Sequence, residues 1–265
     1  MTALALKGVP RTLLVTLGCR ALEAGRSDAI LSDPRAAQVF KAVGGSPADL
    51  MKMSRLDQTF TLMRARQFDR LARSFLTAHA GALVVDLGCG LDTRFERLDD
   101  GELSWLGLDL PEVISVRRQF LPDRERCTTL ACSMLDLSWL DLVERAGKPA
   151  IFLAEGVFPY FTREQVKSVV TELAARFSGG ELVFDALSSF SVRLHNRTHP
   201  VLGETGVTLK FSVDDPALLE AWGLRLLDRW GYFDEREPRV GLANLVRYIP
   251  ALNGANFILH YRLGR

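Results

Sequence analysis

The chain has 265 residues, 48% hydrophobic and 25% charged, a composition that builds a real core and excludes a disordered or collagen-like chain. Its 33 Lys+Arg against 32 Asp+Glu leave a net charge of +1, without the basic excess of a nucleic-acid binder. A small-molecule partner follows, with neither nucleic acid nor membrane, since no apolar stretch approaches the ~20 residues that span a bilayer. Cys19, Cys89, Cys127 and Cys132 form no C-x-x-C pair, hence neither a zinc ribbon nor a disulfide framework, and they point to a reducing cytoplasm. The apolar run from Thr12 to Cys19 is too short for a signal peptide and is closed at once by Arg20.

The first 80 residues read as helical. Val9-Pro10 opens one helix, with Leu13, Leu14, Leu17 and Leu22 on related faces. A second starts at Asp33-Pro34, where Asp caps and Pro fits the first turn, and ends before Gly44-Gly45. The three- and four-residue steps of Phe60, Met63, Phe68, Leu71, Phe75 and Leu76 predict a third from about Arg55 to His79, stopped by Gly81. From there short apolar runs alternate with helical patterns. Runs at 82–85, 105–108, 127–131, 150–153 and 181–184 read as strands, and 112–120 and 163–177 as helices. Strands alternating with helices mean βαβ units in a mainly parallel, doubly wound α/β sheet. The runs at 224–230 and 257–263 lack a crossover helix between them and suit an antiparallel pair closing that sheet. With no linker in sequence, residues 1–80 are expected as a helical N-terminal cap on an α/β domain at 81–265, with a lid near 188–212.

Carboxylates at successive strand ends carry the functional signal: Asp86, Asp109, Asp136 and Glu155. One such Asp is an ordinary helix cap, but four in consecutive units mark a ligand crevice, because open α/β sheets bind ligands outside the carboxyl ends of their strands. The first turn carries Gly88 and Gly90 but has Thr93 where a dinucleotide fingerprint has its third glycine. Asp109 lies about 20 residues beyond, where an acidic side chain grips ribose hydroxyls. A nucleoside cofactor without a pyrophosphate is S-adenosylmethionine, although nicotinamide enzymes share much of this spacing.

The stretch from Val84 to Leu98, VVDLGCGLDTRFERL, resembles the nucleotide turn of the leucine carboxyl methyltransferase family, and within it the polyketide O-methyltransferases of the tetracenomycin type. RALE at 20–23, LDLPEV at 108–113, MLDLSW at 134–139 and AEGVFPY at 154–160 agree with it. The resemblance implies a Rossmann-like S-adenosylmethionine-dependent methyltransferase fold. It further implies that Arg64, with Arg20, holds the methionine carboxylate, and that Gly88 and Gly90 give close backbone approach. Asp109 would take the ribose hydroxyls, Asp136 and Leu137 would flank adenine, and Glu155 would sit by the methionine portion. Arg94 and Arg97 remain open between ion-paired structure and ligand contact, and Tyr160 reads as pocket wall.

The polar stretch 190–206 falls where the family places a lid over substrate. His195 and His199 are four apart there, but Pro200 and the lack of a third ligand argue against a metal. No histidine–carboxylate dyad stands out as a base, which favours a carboxylate acceptor that is already ionised. Arg193, His195 and Arg197 are candidates to position it. The expected activity is therefore O-methylation of a small or polyketide-like acid. A protein C-terminal carboxylate, a nicotinamide dehydrogenase and a non-catalytic cofactor-binding module are the alternatives.

Overall fold

The computed structural model describes residues 11–46, 50, 53–198, 207–249 and 253–264. Seven strands form one sheet: β1 (Leu83–Leu87), β2 (Ser104–Asp109), β3 (Cys127–Ala131), β4 (Ala150–Ala154), β5 (Glu181–Leu187), β6 (Leu224–Gly231) and β7 (Asn256–Leu263). Their spatial order is β3-β2-β1-β4-β5-β7-β6, parallel except for β7, which runs antiparallel to both neighbours. The closing pair is thus present, with β7 inserted between β5 and β6. The chain winds outward from β1 to β3 and then returns to β4 on the other side of β1, so the switch point lies between β1 and β4.

Eight α-helices are described: α1 (Arg11–Glu23), α2 (Pro34–Ala42), α3 (Arg55–Ala78), α4 (Arg94–Leu98), α5 (Pro111–Phe120), α6 (Leu140–Ala146), α7 (Arg163–Arg176) and α8 (Ser189–Thr198). Caps follow the chemistry of the sequence. Asp33 accepts the Ala36 N–H at 2.9 Å at the start of α2, and Ser54 accepts the Asp57 N–H at 3.0 Å at the start of α3. Val9 and Pro10 lie outside the described residues. The polar stretch after β5 is helical through Thr198; His199 and the rest of 199–206 also lie outside them.

Strand alternation decides what faces α3. Leu83, Val85 and Leu87 join one core cluster with Phe152 and Phe184, while Val84, Ile151, Leu153 and Val183 join the other with Met63, Phe68 and Phe75 of α3. Side chains alternate along a strand, so Asp86, Glu155 and Asp185 share the α3 side. The strands at 82–85 and 181–184 run further than the apolar pattern indicates, and both Asp86 and Asp185 are strand residues. Three carboxylates are therefore carried under one helix, and that helix brings Arg64 to them.

Candidate active site

Two adjoining cavities open at the carboxyl ends of the central strands. The smaller, about 130 Å³, is lined by Asp86, the turn at 88–92 and Glu155, with Leu13, Thr16 and Arg20 contributed by α1. The larger, about 340 Å³, takes Asp57, Phe60 and Thr61 from α3, Asp185 from β5, His195 from α8 and Asn256 from β7. Arg64, Gly156 and Tyr160 line both.

Arg64 is the centre of the partition. Its Nε donates to Glu155 Oε1 at 3.0 Å and its Nη1 to Asp185 Oδ2 at 3.0 Å. Burial opposes the guanidinium charge, but Asp185 and Glu155 together outweigh it and raise the pKa of Arg64. Glu155 is gripped on its other oxygen by Arg94, and Asp185 accepts the Gly156 N–H on its other oxygen at 2.5 Å. Both oxygens of Glu155 are therefore committed to arginines.

The glycine turn is shaped by close packing. Gly88 has φ +70°, and a Cβ there would lie 2.5 Å from Val157 Cγ2; Gly90 has φ +45°, and a Cβ would lie 2.6 Å from Leu13 Cδ2. The Gly88 N–H donates to the Leu108 carbonyl at 2.7 Å, and the Gly90 N–H donates to Asp109 Oδ2 at 2.8 Å. Asp109 also accepts the Leu110 N–H at 2.7 Å, so in this structure it braces the turn. Burial pushes its carboxyl up, and the two N–H donors pull against that shift.

Asp86 differs from every other carboxylate here. It is 3% exposed, and its Oδ2 has no hydrogen-bond partner among the described residues. Burial, opposed chiefly by Arg94, pushes it up to about 7. Asp92 goes the other way: although buried, it is held well below the usual carboxylate range by Arg94, Arg20 and Arg97. Arg94 is fully buried and pairs with Asp69, Asp92 and Glu155; Arg97 pairs with Asp69, Asp33 and Asp92. The two arginines left open by the sequence are thus structural, tying the turn to α2 and α3. Arg20 belongs to the same network, with Nε 3.3 Å from Asp33, while also lining the smaller cavity.

The remaining candidates separate. Asp136 is exposed and caps a short 3₁₀ turn by accepting the Ser138 N–H at 3.2 Å; Leu137 next to it is half-buried against the core. Neither lines the smaller cavity, nor does Asp109. His195 lines the larger cavity, its Nδ1 at 2.8 Å from the Ser191 carbonyl. Arg193 and Arg197 point elsewhere: both are exposed on α8 and neither lines that cavity, because the buried face of this helix carries Ser191 and Val192. Asp185 and Tyr232 join the site without having been singled out by motif. The sequence does carry a signal for Asp185, which follows the apolar run at 181–184 as Asp86 follows that at 82–85.

Residues 13–174 match the sequence profile of the leucine carboxyl methyltransferase family. The tetracenomycin polyketide synthesis O-methyltransferase TcmP of Streptomyces glaucescens is 30% identical over 267 residues, covering 97% of either chain. An S-adenosyl-L-methionine-dependent methyltransferase of Gibberella zeae, dpfgK, is 32% identical over 246 residues, 84% of this chain and 82% of its own. Among solved structures, the N-methyltransferase NodS of Bradyrhizobium japonicum, in complex with S-adenosyl-L-homocysteine, gives a TM-score of 0.51 at 14% identity, covering 95% of this chain and 100% of that one. A DUF574-family protein of Streptomyces avermitilis gives 0.57 at 17% identity, covering 92% and 96%. At such identities the likeness is one of fold.

Proposed function

The chain belongs to the leucine carboxyl methyltransferase family and is an S-adenosylmethionine-dependent methyltransferase, and on that premise we propose that it esterifies the carboxylate of a small acidic molecule. The dehydrogenase and non-catalytic alternatives fall away with the family. When bound, the cofactor supplies a methyl group activated on a sulfonium.

The smaller cavity suits the cofactor's amino-acid end, which carries an ammonium and a carboxylate. It offers cations at Arg64 and Arg20 beside the unpartnered oxygen of Asp86. A buried carboxylate oxygen without a donor is costly, and an ammonium would supply one. In this reading Arg64, helped by Arg20, holds the carboxylate through its fork of donors, and Asp86 holds the ammonium. Glu155 fixes Arg64 in place. Gly88 and Gly90 let the ligand approach the backbone, Asp109 takes the ribose hydroxyls, and Asp136 with Leu137 flank the adenine.

The observation that carries the acceptor reading is the partition. Among the described residues, Arg64, Gly156 and Tyr160 line both cavities, so an acceptor oxygen aligned for in-line displacement must come beside them. A carboxylate is already ionised at neutral pH and needs no proton removed, and His195 in the cavity wall would help to position it. Tyr160 and Phe60 provide apolar walls. TcmP, named as an O-methyltransferase of polyketide synthesis, supports an oxygen acceptor on a polyketide-like acid. Free thiols at all four cysteines suit the cytoplasm, and no described helix is long and apolar enough to cross a membrane.

The test is a mass-spectrometric screen of small carboxylic acids, phenols and peptides ending in a free carboxylate, with isotopically labelled cofactor. A methyl ester releases methanol in mild alkali, whereas a methyl ether survives it. Labelled product from a small acid that is lost in alkali is expected; alkali-stable product, or product from peptides alone, would overturn the proposal.

A further inference from the structure

We propose that Asp185 competes with the cofactor's carboxylate for Arg64, and so sets cofactor affinity from its place in the wall of the acceptor cavity. The inference rests on the assignment of Arg64 to that carboxylate.

The two carboxylates that flank Arg64 are held very differently. Glu155 takes Arg64 Nε on one oxygen and Arg94 on the other, and Arg94 is fully buried and anchored to Asp69 and Asp92. That side of Arg64 is a fixed abutment. Asp185 takes Arg64 Nη1 on one oxygen and the Gly156 N–H on the other, with no second arginine behind it among its described bonds. Asp185 is the partner that can yield.

Charge requires that one of them does. Arg64 already stands as one positive group between two carboxylates, and a third arriving from the smaller cavity leaves three negatives around it. Like charges at such separations in a buried site cannot all remain ionised without cost. The cost is relieved when Asp185 leaves Nη1 or takes a proton. Its surroundings favour this: burial pushes its carboxyl up and Glu155 adds to that, against Arg64 and the Gly156 N–H. The charged and titratable groups facing it are Arg64 from α3, Glu155 after β4, Tyr160 in the following 3₁₀ turn and Tyr232 after β6, with Asp57 of α3 and His195 of α8 across the same cavity. Because Asp185 lines the acceptor cavity, a proton taken there also lowers the negative charge that an anionic acceptor meets.

Calorimetric titration with two ligands isolates the effect. S-Adenosylhomocysteine carries the carboxylate; S-adenosyl-3-thiopropylamine keeps the nucleoside, sulfur and ammonium and lacks only that group. Asp185→Asn and Asp185→Ser should each raise the preference for S-adenosylhomocysteine over the thiopropylamine by about tenfold or more, as expected for removing one competing charge-assisted bond. A preference that falls, or stays at the wild-type value, in both variants overturns the proposal, because Asp185 would then orient Arg64 or stand aside. Arg64→Ala separates this outcome from the assignment beneath it. It should remove most of the preference, with Arg20 supplying the rest; a preference left intact in Arg64→Ala refutes the role of Arg64, and that of Asp185 with it.

Discussion

Replacing Asp86 by asparagine keeps the shape of the side chain, removes its charge and puts an amide N–H₂ in place of one oxygen. In the folded protein burial, opposed chiefly by Arg94, pushes this carboxyl up to about 7, against 3.8 for an ordinary aspartate in the unfolded chain. A raised folded-state pKa means that the native state binds the extra proton. Stability is therefore full below about pH 4 and is lost as pH rises toward 7. At about 1.4 kcal/mol per pH unit, the interval costs the wild type about 4 kcal/mol above pH 7 and roughly 2 kcal/mol at pH 5. Asp86→Asn should recover that cost. For a chain of this size it should melt about 8 °C above wild type at pH 8 and about 4 °C above it at pH 5. The same variant should bind S-adenosylhomocysteine more weakly, since the ammonium loses its carboxylate, and its affinity should no longer rise with pH through 7. Scanning fluorimetry of the ligand-free proteins at the two pH values is the assay. An equal gap at both, or a less stable variant at pH 8, would refute the buried-charge argument.

Asp109→Ala should weaken S-adenosylhomocysteine by roughly 1.5–3 kcal/mol, with Asp109→Asn between it and wild type; wild-type affinity by calorimetry in both would leave Asp109 as a brace for Gly90 and Leu110 alone. Arg64→Ala should cost S-adenosylhomocysteine a similar ~1.5–3 kcal/mol yet leave 5′-methylthioadenosine, which lacks the amino acid, nearly unaffected. Arg70→Ala, on the exposed side of α3 and paired with Glu235, is the control and should bind both as wild type does. Arg94→Met strands Asp69, Asp92 and Glu155 and should destabilise the fold by roughly 3–5 kcal/mol in urea titration; a loss under about 1 kcal/mol would contradict the clamp. S-Adenosylhomocysteine at about 100 times its Kd should add roughly 2.7 kcal/mol of stability, and NAD or NADP none, read as shifts in Tm.

The parts of the molecule that sequence makes legible are those governed by local rules. Strand runs such as 150–153 are buried on both faces and so are continuously apolar, and Asp33-Pro34 announces its helix through a cap and a fixed φ. Where a charged residue continues a buried strand, as Asp86 and Asp185 do, the apolar pattern stops early although the ladder goes on to Leu87 and Leu187. Helix α8 was hidden for a related reason. Its residues are mostly Ser, Arg, His and Asn, so it is polar on average, and only Ser191 and Val192 are buried. Arg64 was legible through resemblance, whereas its two partners depend on which strands lie side by side. The register that pairs Ala154 with Phe184 brings Glu155 and Asp185 to adjacent strand ends, and no spacing in the chain encodes that contact.

Arg20 and Arg64 make the N-terminal helices part of the cavity walls as well as a cover for the sheet. A helix that merely covered a sheet would present apolar side chains to it, as α3 does with Met63, Phe68 and Phe75. Yet α1 lines the smaller cavity with Leu13, Thr16 and Arg20, and α3 lines both cavities with Arg64. Leu13 also packs so closely on Gly90 that any side chain at that glycine would collide with it. The buried pairs from Arg20 and Arg97 to Asp33, and from Arg94 and Arg97 to Asp69, then lock the helical segment to the glycine turn. Such pairs are poor sources of net stability, because desolvation offsets most of their attraction, but breaking one leaves an uncompensated buried charge. Their effect is to fix register. Arg20 and Arg64, proposed to hold the cofactor's carboxylate, and the glycine turn beside them belong to different parts of the chain, and the ion-pair network holds them at one spacing.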